Sequence, residues 1–107
     1  MAERDAEMNE ASRLAKAYAG VLNEKLNVIG VYLFGSFAKG TAGEDSDIDI
    51  AVVSDSFTGD PIDDRSYLLV LKYDVDLRIE PHPFLPEDFT EDNPFAREIL
   101  RTGIRIA

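Results

Sequence analysis

Between about Asp5 and Leu26 the apolar residues Met8, Ala11, Leu14, Ala15, Tyr18, Val21, Leu22 and Leu26 recur at steps of three and four. That period lines them up as one stripe and predicts an amphipathic helix. Val28 to Phe34 is almost uninterrupted apolar sequence, rich in β-branched and aromatic residues. It is too short for a typical helix and predicts a strand buried on both faces. Gly35 ends it, and Ser36 is placed to cap a short helical turn through Phe37, Ala38 and Lys39. In Ile48 to Val53 alternation puts Ile48, Ile50 and Val52 on one face of a second strand and Asp47, Asp49 and Ala51 on the other.

Ser54 to Asp60 is polar and turn-rich, and Pro61 suits the first turn of a helix carrying Ile62, Tyr67, Leu68, Leu69 and Leu71. Asp74 to Glu80 alternates, with Val75, Leu77 and Ile79 opposed to Asp74, Asp76, Arg78 and Glu80, which predicts a third strand. Pro81, Pro83 and Pro86 then predict a stiff extended connection outside regular structure. Asn93 before Pro94 is a cap-then-first-turn signal for a helix through Phe95, Ile99 and Leu100, with Gly103 at its end and room for a last short strand over Ile104 to Ala107. The sequence shows no repeat, low-complexity tract or linker. This order predicts a single α/β (α+β) domain over residues 1–107, a mixed sheet of about four strands with helices packed on it.

Chemistry concentrates in Gly35-Ser36 and Asp47-Ile48-Asp49, with positions 37 to 46 between them. That interval suffices for a helical turn and a loop leading back to an adjacent strand, which brings the glycine turn beside the carboxylates. Two acids two apart on a strand project from one face, roughly 6–7 Å apart, where their oxygens can bind divalent metal. Backbone N–H groups at Gly35 and Ser36 can hold a triphosphate. A glycine-serine turn alone is ordinarily structural, and an Asp-x-Asp alone is an ordinary solvated face. Their joint order and spacing points to a metal-nucleotide site, since neighbouring carboxylates repel unless a cation sits between them.

Val31 to Gly40 together with Ser46 to Val52 resembles the signature of the DNA polymerase beta-like nucleotidyltransferases, and the chain length is similar to that of the minimal nucleotidyltransferases, the MNT proteins. The resemblance implies a nucleotidyltransferase-like core that uses two Mg²⁺ ions to transfer AMP from ATP to an acceptor hydroxyl, with release of pyrophosphate. Many minimal members are antitoxins paired with an all-helical HEPN toxin, and some modify a tyrosine of that toxin. A third carboxylate is implied on the next core strand. Asp76, flanked by Val75 and Leu77, matches the family pattern, whereas the distance back from Pro86-Glu87-Asp88-Phe89 points to Glu80, so both are candidates beside Asp47 and Asp49. Their structural reading is an edge strand of alternating charge with Arg78 as ion-pair partner.

Lys39 is a candidate phosphate contact or a solvated loop lysine. His82, the only histidine, reads as loop packing more readily than as a proton shuttle, and Arg65, Arg97 and Arg101 as ordinary surface positions. The net charge of −10 works against long nucleic acid and suits a partner with a basic surface, such as a ribonuclease-like toxin. Cysteine is absent, and no segment has signal-peptide or membrane-span character, so a soluble, unprocessed, cytoplasmic protein without membrane contact is expected. Two rival functions stand beside transfer to a partner protein. One is an antitoxin that neutralises by binding alone. The other is a small-molecule nucleotidyltransferase, whose acceptor pocket would need a homo-oligomer.

Overall fold

The computed structural model describes residues 2–43 and 45–107, with side chains from residue 8 onward within that range. The first helix, α1 (Ala2–Asn23), carries the stripe Ala11, Leu14, Ala15, Tyr18 and Leu22 into the core. Two antiparallel strands follow, β1 (Val28–Phe34) and β2 (Ile48–Ser54), separated by the single-turn helix α2 (Ser36–Lys39). Helix α3 (Pro61–Lys72) crosses over to β3 (Ile79–Phe84), which pairs parallel with β2. A parallel pair cannot be joined by a tight turn, and a helix is the usual crossover. A 3₁₀ turn at Pro86–Asp88 leads to α4 (Pro94–Thr102), and β4 (Ile104–Arg105) closes on β1 antiparallel. The sheet order is β3-β2-β1-β4, a mixed sheet of the expected kind.

Both faces of this sheet are covered. Val31, Leu33, Ile48, Ile50, Val52 and Ile79 pack under α1 and α3 with Tyr18, Leu22 and Leu68. The Tyr18 hydroxyl donates to the Leu68 carbonyl at 2.7 Å and ties the two helices together, and burial pushes that hydroxyl well above its ordinary range. On the other face Phe34, Ala51, Val53 and Phe84 meet Ala96 and Ile99 of α4. Each fully buried Leu or Ile on these faces contributes on the order of 1.5–3 kcal/mol. Asn93 caps α4 by accepting from the N–H groups of Phe95 and Ala96, and Asp60 does the same for α3 through Ile62 and Asp63. Among the described residues no helix is long and apolar enough to cross a membrane.

The third strand departs from expectation. Asp74 to Arg78 is a succession of turns, and the strand begins at Ile79 and runs through Pro81 and Pro83. Alternation misleads here because its partners are local: Asp76 accepts from the Arg78 N–H and guanidinium, and the Lys72 ammonium donates to the Leu77 carbonyl. Leu77 is left 64% exposed, so the apolar positions share no buried face. The prolines are tolerated because β3 is an edge strand. Successive residues aim their backbone groups to opposite sides, so Pro81 and Pro83, two apart, take the open side while Glu80 and His82 face β2 with theirs. At α2 the cap is Gly35, with no side-chain cap bond, and Ser36 occupies the first helical position.

Candidate active site

The antiparallel return of β2 on β1 and its parallel pairing with β3 bring the end of β1 and the starts of β2 and β3 to one place. Phe34 is the register partner of Asp49, and Asp49 is the partner of Glu80. Adjacent strands lie about 4.8 Å apart, so these two acids are neighbours on the face that also carries Ala51 and His82. Asp47 precedes β2 and is exposed, whereas Asp49 and Glu80 are half-buried.

Gly35 shapes the turn. Its φ of 75° and ψ of −146° lie where a side chain is strained, and a Cβ there would fall 2.5 Å from Asp49 Oδ2. The turn thus lies directly against the Asp49 carboxylate. Immediately after it α2 begins, and the first N–H groups of a helix have no partner within it. Gly40, also at φ 75°, ends that helix in the left-handed conformation.

Each half-buried acid already has a basic neighbour. His82 Nε2 lies 3.3 Å from Asp49 Oδ1, and its ring is held edge-on by Phe34 and Phe95 at centroid distances of 5.1 and 5.7 Å. From α3, Arg65 donates to Glu80 Oε2 at 2.9 Å. Both residues read from the sequence as unremarkable positions. The available signal was parity: once the strand is read through its prolines, His82 falls two residues after Glu80 on the same face. Lys39 pairs with Glu98 of α4 at 3.3 Å, Arg101 pairs with Glu91, and Arg97 is exposed.

Asp76 sits apart from this group, in the turn before β3. The Arg78 guanidinium and N–H bonded to it hold its carboxyl below the usual carboxylate range. Among the described residues no three His, Asp or Glu side chains converge closely enough to hold a metal ion as they stand. The donor set nonetheless fits a hard divalent cation, which takes carboxylate oxygens: Asp49 and Glu80 are in register, and Asp47 is two residues from Asp49.

A mixed sheet that gathers a glycine turn and paired carboxylates at one end of its strands is the core of a nucleotidyltransferase. Residues 16–101 match the model of the nucleotidyltransferase domain family, and the chain belongs to that family. A Sulfolobus solfataricus protein assigned as a nucleotidyltransferase has a similar fold, with a TM-score of 0.69 at 22% identity over 96% of this chain and 85% of the other. A chain of a toxin–antitoxin complex crystallised with AMP-PNP is also similar, with a TM-score of 0.62 at 24% identity over 86% of this chain and 72% of that one. No curated protein matches at a significant level.

Proposed function

We propose that the chain transfers AMP from ATP to a hydroxyl of a partner protein, as the antitoxin of a HEPN-type toxin. In this reading Asp47, Asp49 and Glu80 bind Mg²⁺, and the Gly35-Ser36 turn receives the β- and γ-phosphates. The observation that carries it is the register pairing of Asp49 with Glu80 against the Gly35 backbone. That placement favours Glu80 over Asp76 as the third acid. The AMP-PNP of the similar complex supports an adenine nucleotide, and its toxin–antitoxin composition supports a protein partner.

In the reaction the acceptor oxygen attacks the α-phosphorus, and the bond to the bridging oxygen breaks with its electron pair leaving on pyrophosphate. The acceptor proton passes to water or a site carboxylate. Bound Mg²⁺ supplies neutralisation of the phosphate charge and acidifies the acceptor hydroxyl. The residues themselves hold and orient: Gly35 keeps the backbone close to the carboxylates, and His82 and Arg65 fix Asp49 and Glu80.

The test uses α-labelled ATP, Mg²⁺ and the product of the neighbouring gene. Label should move to that protein and be lost in Asp47→Ala and Asp49→Ala. Undiminished transfer by the double variant would refute the site. A second reading, neutralisation by binding alone, is favoured by one observation: the carboxylates of Asp49 and Glu80 already have side-chain partners within the chain, His82 and Arg65. Protection of cells by the double variant, with an intact complex, would select it.

A further inference from the structure

Helix α3 carries apolar residues on both sides, among polar ones. Leu68 and Leu71 face the core, yet Ile62, Val70 and Tyr73 stand on the opposite side, 76%, 66% and 70% exposed. Leu77, in the turn beyond the helix, is exposed as well. Single exposed apolar residues are ordinary, but three on one face of a helix, interrupted only by Ser66, make a patch suited to being covered. From Ile62 to Tyr73 the stripe runs about 16 Å, three turns of a partner helix.

The charges around the stripe decide what covers it. Asp60, Asp63 and Asp74 are exposed at its two ends. The cations of α3 are already engaged: Lys72 is buried with its ammonium on Leu77, and Arg65 is bridged to Glu80. Two-fold pairing with a second copy brings Asp74 of one chain to Asp60 and Asp63 of the other if the helices run antiparallel, and each of these acids to its own copy if they run parallel. With a net charge of −10 on each chain, either arrangement is opposed by like charge.

We infer that the outer face of α3 is a docking surface for a protein helix whose apolar stripe is flanked by lysine or arginine. None of the stripe residues Ile62, Val70 and Tyr73 is among those assigned to the nucleotide site. In the setting proposed above its occupant is the toxin, but the binding chemistry stands whether or not AMP is transferred.

The probe is an 18-residue helical peptide with a leucine stripe flanked by lysines, compared with a glutamate-flanked twin, and read by amide chemical shifts and fluorescence anisotropy without nucleotide. The lysine peptide should shift amides of residues 61–77. It should bind at least tenfold more weakly to the V70S/Y73S variant, which keeps the charge and changes only exposed positions. Asp63→Asn with Asp74→Asn should lower affinity and flatten its salt dependence. Equal binding by the glutamate twin, equal binding to V70S/Y73S, or no binding of the lysine peptide would each overturn the proposal. So would a dimer in sedimentation equilibrium that V70S/Y73S dissolves, because the occupant would then be a second copy.

Discussion

Gly35 makes room for the carboxylate of Asp49: a methyl group at position 35 would sit 2.5 Å from Oδ2, on a backbone at φ 75° that disfavours any side chain. Gly35→Ala therefore meets two penalties at once. Backbone strain of this kind costs about 1–3 kcal/mol. Relief of the clash requires Asp49 to move away from its place beside Glu80. Chemical denaturation should show a loss of about 2 kcal/mol. Nucleotidyl transfer should fall by more than the unfolded fraction accounts for, and retention of full activity in the folded variant would contradict this packing relationship.

His82 holds the other oxygen of the same carboxylate. His82→Phe preserves the aromatic contacts with Phe34 and Phe95 but removes the nitrogen 3.3 Å from Asp49 Oδ1. Partners that orient a metal ligand are worth roughly 10–100-fold in metal affinity or activity. Mn²⁺ titration followed by electron paramagnetic resonance should weaken by about that factor in His82→Phe. His82→Gln, whose amide nitrogen can reach the place of Nε2, should recover part of it. An unchanged Mn²⁺ affinity in His82→Phe would reduce His82 to packing.

Glu80 and Asp76 are separated by the same logic. Glu80 stands in register with Asp49, and Asp76 is bound up with Arg78 in a turn. Glu80→Gln should abolish AMP transfer as fully as Asp49→Asn, whereas Asp76→Asn should leave transfer within about twofold. The opposite ranking would return the third carboxylate to Asp76.

How far the sequence could be read follows from where each residue finds its partners. The stripe from Met8 to Leu22 and the alternation of β2 were legible because both are fixed by burial against distant parts of the core. The spacing of Gly35-Ser36 and Asp47-x-Asp49 was legible because the antiparallel return of β2 leaves few other arrangements. The third strand was misplaced because the charges of Asp74 to Arg78 are satisfied locally, and because Pro81 and Pro83 look like breakers until the strand is known to be an edge. The pairing of His82 with Asp49 and of Arg65 with Glu80 depends on register and on a helix crossing, which no local pattern encodes.

The Asp76–Arg78 pair gives a prediction that is independent of catalysis. Asp76 accepts from the Arg78 N–H at 2.8 Å and from Nε at 3.0 Å, and these bonds hold its carboxyl below an ordinary value of 3.8. Because the folded-state value is depressed, the stabilisation is fully present above the unfolded value and is lost as pH falls through the folded one. Charge-assisted bonds at a partly exposed site are worth about 1 kcal/mol. Asp76→Asn should therefore lower unfolding free energy by about 1 kcal/mol at pH 7. The gap between the two proteins should begin to narrow as pH falls towards 3.8 and close as it drops further through the folded value. Urea denaturation of both proteins across that range measures it, and a gap that stays constant with pH would show that the carboxylate charge plays no part in holding the turn.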